Sequence, residues 1–267
     1  MTNRREEVGA GLRTDRPHSA RVWNYLLAGK DNYPVDQEAG EVIVTTFPEF
    51  AAVARLQRRF LARAVRFLTG EAGIRQFLDI GAGLPTADNT HELAQRIAPE
   101  SRIVYVDNDP LVLTHAQALL TSSPEGACAY VDADVRDPER ILAEAARTLD
   151  LSRPVALTAL GIMGQISDAE RPAELLGTLL SALPPGSYLA LSDGTNGNAA
   201  LSRAVEVYNG QSANTYRLRS PQEIAAFFAG LDLVEPGVVA TASWRPAADR
   251  PEEPTADVSV CGVAVKG

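Results

Sequence analysis

Residues 76–86 read QFLDIGAGLPT. An apolar run of Phe77, Leu78 and Ile80 stops at Asp79, Gly81 and Gly83, and Pro85 stands where a helix can begin. This order predicts a strand turning sharply into a helix, with main chain bared at the turn for a ligand.

The same rhythm repeats downstream. Short apolar runs recur at 76–80, 102–106, 127–131, 154–160 and 187–191. Helix-like stretches separate them, NTHELAQRIA, PLVLTHAQALL, PERILAEAARTL and AELLGTLLSAL. Alternating units of this length predict an α/β fold, a doubly wound and mostly parallel sheet with helices on both faces. Towards the end, Ser220, Pro221 and Glu223 form a capping box with proline at the first helical position. LDLVEPGVVATASW and DVSVCGVAVKG follow with no helix between them, which predicts a closing antiparallel pair.

Upstream, residues 1–16 are polar and read as a flexible tail, and 17–70 as an N-terminal helical cap on a domain spanning 71–267. Between 19 and 69, Val53, Leu56, Phe60, Ala64, Val65 and Leu68 make a helical stripe. Arg55, Arg58, Arg59, Arg63 and Arg66 fall largely off it and read as a solvated face.

The 267 residues suffice for one large α/β domain with a full core. A formal charge of −9 argues against nucleic acid as a partner, since phosphate binding needs a basic surface. Cys128 and Cys261 lie in apolar runs and read as buried free thiols of a reducing compartment. His18, His91 and His115 have no ligand spacing, so no metal is expected. The first residues lack the apolar core of a signal peptide, and no apolar run is long enough to span a membrane. A cytoplasmic protein is the expectation, and a homodimer is compatible with it.

In a doubly wound sheet, ligands bind at the carboxyl ends of the strands. The first three strands end at Asp79-Ile80-Gly81-Ala82-Gly83, at Asp107 and at Asp132-Ala133-Asp134, so carboxylates converge on one rim. A dinucleotide fingerprint needs glycine where Thr86 stands, and Asp79 would face its pyrophosphate; both disfavour a nicotinamide-dependent oxidoreductase. No Lys-Ser or Lys-Thr follows the loop, so the nucleotide phosphate loop fails as well. S-adenosylmethionine suits the rim better: it has no phosphate, carries sulfonium and ammonium charges, and offers a ribose diol to Asp107 and an adenine amino group to Asp134. The bland alternative is a tight turn with aspartates as turn or cap residues.

FLDIGAGLPT, VYVDNDP and YVDADVRD resemble the three cofactor motifs of class I S-adenosylmethionine-dependent methyltransferases. PHSARVWNYLLAGKDNYPVD (17–36), PPGSYLALS (184–192) and WRP (244–246) resemble an actinobacterial group of S-adenosyl methyltransferases, formerly a domain of unknown function. The resemblance implies a Rossmann-like seven-stranded sheet with an antiparallel last strand, and the cofactor S-adenosyl-L-methionine. It implies that Asp79, Gly81, Ala82 and Gly83 line the methionine end, that Asp107 and Asn108 hold the ribose, and that Ala133, Asp134 and Val135 frame the adenine. Leu160, closing the fourth strand, completes that set. Members often carry His-Phe where this chain has Gly164-Gln165, and Ser-His where it has Ser192-Asp193. Both differences remove a histidine from the rim.

The function expected is methyl transfer to a small-molecule acceptor; the alternative is a protein that binds the cofactor without methylating, as a sensor or regulatory subunit. Asp193 is placed where a base could reach the site, although SDGTNGN also reads as a turn. GKDNYP (29–34) reads either as a linker or as a lid whose Asn32 and Tyr33 face the ligand, and 193–219 as an insert shaping the acceptor pocket. Tyr208 and Tyr216 could stack on an aromatic acceptor there or serve as core aromatics.

Overall fold

The computed structural model describes residues 14–86, 88–119, 121–212, 214–246 and 258–267. The tail expected over residues 1–16 lies, for residues 1–13, outside them. Among the described residues no helix is long and apolar enough to cross a membrane.

The chain opens with helices α1 (Ser19–Leu26), α2 (Pro34–Thr46) and α3 (Phe50–Gly70). Strand and helix then alternate as β1 (Gln76–Ile80), α4 (Thr90–Ile97), β2 (Arg102–Asp107), α5 (Pro110–Leu119), β3 (Ala127–Asp132), α6 (Pro138–Ala145), β4 (Ala156–Leu160), α7 (Pro172–Ser181) and β5 (Tyr188–Gly194). Helices α8 (Ala199–Gln211) and α9 (Pro221–Ala225) lead to β6 (Asp232–Leu233), β7 (Val239–Ala240) and β8 (Ser259–Val265).

The sheet runs β3-β2-β1-β4-β5-β8-β6, with β7 also on β8. The first five strands are parallel, and β8 is antiparallel to β5, β6 and β7. Among the described residues eight strands stand where seven were expected, because the strand beyond β8 is broken in two. Pro236 has no N–H to give a ladder, and Gly237, at φ 84°, turns back to the Val234 carbonyl.

Successive strand residues feed opposite layers. Leu78, Val104, Leu157 and Leu189 pack under α6, α7 and α9, whereas Phe77, Ile103, Ala156 and Ala190 pack under α3 and α4. Both faces are therefore buried, which explains the near-continuous apolar runs. A third cluster joins α1, α2 and the start of α3 to α8, over the carboxyl edge of the sheet.

The capping signals hold. Glu223 accepts from the Ser220 amide at 2.7 Å, and Ser220 Oγ from the Glu223 amide at 3.2 Å. The arginine face of α3 needs correction: Arg55, Arg59 and Arg66 are exposed, but Arg63 is buried. It donates to the main-chain carbonyls of Trp244 (2.7 Å) and Thr241 (2.6 Å), which is how a buried guanidinium is accommodated. Trp244 itself is fully buried edge-on to Phe60 and Phe67, with centroids 5.5 and 5.9 Å away.

Candidate functional site

One long cavity opens at the carboxyl ends of the parallel strands and runs beneath α1 and α8. Gly81 and Gly83 both adopt positive φ (69° and 67°), and the Gly81 and Ala82 amides donate to Val106 O at 2.8 and 3.1 Å. A side chain on Gly81 would meet Ile162 at 1.9 Å, whereas one on Gly83 would meet nothing within 4 Å. The loop is therefore pinned on one side and bare on the other.

Each strand end delivers its acid. Asp79 accepts from Thr158 Oγ1 and Thr90 Oγ1, both at 2.6 Å. Burial pushes its carboxyl above the usual range, opposed by those hydroxyls and by the Arg58 charge. Asp107 accepts the Gly83 amide at 2.8 Å on Oδ2 and the Asp109 amide at 3.0 Å on Oδ1, and burial raises it too. Asn108 Nδ2 donates to Asp134 Oδ2 at 2.7 Å, and Arg136 joins Asp134 to Glu170.

Asp79, Gly81, Ala82, Gly83, Asp107, Asn108, Ala133, Asp134, Val135 and Leu160 all line the cavity, and Asp193 lines it as well. Asn32 and Tyr33 do not reach it among the described residues. Asn32 Nδ2 instead turns onto Asn24 Oδ1 at 2.8 Å and Gly29 O at 3.1 Å, so Asn24 is the polar residue that faces inward. Tyr33 caps α2, its amide on Asp36 Oδ2 at 2.9 Å and its ring under the Arg21 guanidinium.

Asp193 is not a turn residue. It is paired with Val260 inside β5 and only 3% exposed. Burial raises its carboxyl to about 6, against the Tyr216 hydroxyl, Arg219 and the Gly164 and Gly194 amides. Tyr216 donates its hydroxyl to Asp193 Oδ1, and Asn209 clamps the Tyr216 main chain at 2.7 and 2.8 Å. The ring lies against Gly164, where a Cβ would come within 2.4 Å of it. The two differences read at Gly164 and Asp193 thus meet in one contact.

Sequence reading missed helix α8 inside the insert, although Asn198 signals it by accepting the Ala200 and Leu201 amides at 2.9 and 3.0 Å. It missed Arg58, which lines the cavity with its charge toward Asp79 and donates to Asp88 O at 2.9 Å. It also missed how the helical cap is tied to the rim. His18 Nδ1 meets Asp109 Oδ2 at 3.0 Å, and Arg21 Nε lies 3.4 Å from Asp109 and 3.6 Å from Asp36. Among the described residues no group of His, Cys, Asp and Glu could hold a metal.

The sequence model of the S-adenosyl methyltransferase family matches residues 5–267. A DUF574 family protein from Streptomyces avermitilis is 46% identical, with 95% of this chain and 99% of that one covered and a TM-score of 0.91. A candidate methyltransferase from Thermobifida fusca is 41% identical, with 96% and 97% covered and a TM-score of 0.88. The magnesium protoporphyrin IX methyltransferase of Synechocystis, at 12% identity, coverages of 92% and 93% and a TM-score of 0.54, shares the fold alone. No curated protein matches the chain.

Proposed function

This chain belongs to the S-adenosyl methyltransferase family, and we propose that it methylates a small-molecule acceptor held beneath its N-terminal helices. It is an S-adenosylmethionine-dependent methyltransferase; the acceptor class and the residue roles are our reading. The observation that carries the reading is the shared cavity onto which β1, β2 and the loop after β3 deliver Asp79, Asp107 and Asp134 around a bare Gly83.

These residues fit the cofactor. Gly83 bares its main chain to open space, in a positive-φ conformation (67°) that disfavours a side chain. Asp107 has both oxygens anchored by amides, each with a lone pair left for a ribose hydroxyl. Ala133 and Val135 flank Asp134 at the adenine end, and Leu160 lies beside the glycine loop. Asp79 and Arg58 face the methionine end, where ammonium and carboxylate would meet opposite charges. When bound, the cofactor supplies a methyl group on a sulfonium. The chain's own contribution is to orient the reactants and exclude water.

With S-adenosylhomocysteine at ~100 times its dissociation constant, stabilisation should reach about 2.7 kcal/mol. That corresponds to a melting increase of roughly 5–10 °C for a chain of this size, with no comparable shift from NAD. A larger shift with NAD would overturn the reading.

We assign α1, α2 and their connection to a lid over the crevice, since Ser19, Trp23 and Asn24 line it and the His18–Asp109 contact ties it to the rim. Asn32 then acts by holding Asn24, and Tyr33 by starting α2. Hydrogen exchange across residues 24–36 should slow when S-adenosylhomocysteine binds; unchanged protection would make this segment a static connection. We place the enzyme in an actinobacterium, a reading supported by the sources of two structural relatives, and keep the cytoplasm as the compartment expected from the sequence.

A further inference from the structure

Beyond the glycine loop the cavity continues between α1, α3 and α8, where Trp23, Leu27, Phe50, Val53, Leu201 and Val205 line it. Such walls suit a ring or hydrocarbon body. The polar floor of this chamber is the end of β5. There, on opposite faces of the strand, Ser192 Oγ and Asp193 Oδ2 are buried with no hydrogen-bond partner among the described residues. A buried polar atom left unpaired is costly, more so when charged, so a ligand that completes the pairing gains by it. The Tyr216 hydroxyl occupies Oδ1 and the Gly164 amide helps steady the carboxylate, while Oδ2 is left buried without a hydrogen bond of its own. With β4 between them, β5 lies two strand spacings from β1, about 10 Å, so Asp193 stands across the chamber from the glycine loop.

The charges decide what that acceptor meets. The lining carries Asp79, Asp107, Asp134 and Asp193 against Arg58 and Arg136. Arg136 is engaged by Asp134 and Glu170, and Arg58 by Asp88 O. Arg219, near Asp193, donates to Met163 O (2.6 Å) and Ile166 O (2.7 Å). An anionic acceptor would add to the excess of negative charge. A neutral hydroxyl would leave the buried carboxylate uncompensated, whereas an ammonium offsets it.

We infer that the methyl acceptor is an amine on an apolar ring body, seated with its nitrogen on Asp193 Oδ2. The inference rests on the S-adenosylmethionine reading of the rim and specifies what lies beside it. One N–H proton passes from the ammonium to Asp193 Oδ2. The freed lone pair forms the N–C bond as the C–S bond breaks, sulfur keeping the electron pair, and the product leaves as a methylammonium. Asp193 is then a catalytic residue, and Tyr216 a positioning residue that holds the carboxylate's other oxygen.

Three probes of one shape test this: naphthalen-1-ylmethanamine, naphthalen-1-ylmethanol and 1-naphthoate, titrated calorimetrically at pH 7.5 into protein saturated with S-adenosylhomocysteine. The amine should bind at least tenfold more tightly than the alcohol, and naphthoate should give no binding. Asp193→Asn should bring the amine to the alcohol's affinity and leave the alcohol within twofold. Asp193→Ser should lose the same preference and serves if the asparagine variant does not fold. Tightest binding of naphthoate, an amine no better than the alcohol, binding of none of the three, or a preference surviving in a folded variant would each overturn the inference. If S-adenosylhomocysteine itself fails to bind, the cofactor reading falls; if it binds and the amine preference is absent, this inference alone falls.

Discussion

Asp107→Ala should weaken S-adenosylhomocysteine binding at least a hundredfold while the protein stays folded. The carboxylate sits at the last position of β2 and is 7% exposed, with its side chain on the crevice. Placed on a ribose diol it gives two charge-assisted hydrogen bonds, each worth about 1.5–3 kcal/mol. A hundredfold loss is about 2.7 kcal/mol, so the two bonds more than cover it. A second effect has the same sign. Asp107 holds the Gly83 and Asp109 amides, so its removal also releases the glycine loop that should receive the ligand. Asp107→Asn separates the two effects, because an amide oxygen keeps one anchor and loses the charge. Calorimetric titration decides the matter; near-normal affinity in the alanine variant would place the ribose elsewhere.

Trp244→Ala should lower the melting temperature by roughly 6–20 °C with little change in cofactor affinity. The side chain is fully buried between Phe60 and Phe67, and its Nε1 has no hydrogen-bond partner among the described residues, so packing is what the substitution removes. Trp→Ala in such a site costs about 3–5 kcal/mol, and each kcal/mol is worth about 2–4 °C in a chain of this size. Trp244→Phe should recover most of the loss. A normal melting temperature for the alanine variant would show that the helix α3 layer does not depend on this ring. WRP, read first as a family signature, is thus a packing anchor: Arg63 binds the Trp244 carbonyl, and Arg245 stacks on Phe67 at 4.3 Å.

The strands and the rim were legible because their signals are local. An apolar run ending in Asp-x-Gly-x-Gly marks a strand end and its turn by residue type alone, and a serine three residues before a glutamate fixes hydrogen bonds among near neighbours. The features that escaped depend on distant partners. Arg63 looks like part of a solvated stripe until two main-chain carbonyls, 178 and 181 residues away, are brought against it. Asn32 and Tyr33 look like ligand-facing residues of a polar loop, but Asn24 and Arg21, on the preceding helix, claim them first. Asp193 resembles a turn residue because Gly194 and Asn196 follow it, and only its pairing with β8 extends the strand through it. The absence of the two histidines was visible from the start. What replaces them, an Asp193–Tyr216 contact over Gly164, needed the fold to be seen.

The contact of His18 with Asp109 gives the cap and the rim a common thermodynamic fate. Asp109 turns its carboxylate to His18 and its amide to Asp107, so the start of the cap is two polar contacts from the acid proposed to hold the ribose. Coupling of this kind is reciprocal: if occupancy of the rim steadies the cap by some factor, a steadier cap strengthens occupancy by the same factor. Affinity for the cofactor is then set in part by residues that never touch it, and a substitution in α1 can tune retention of the cofactor without altering the surface that binds it.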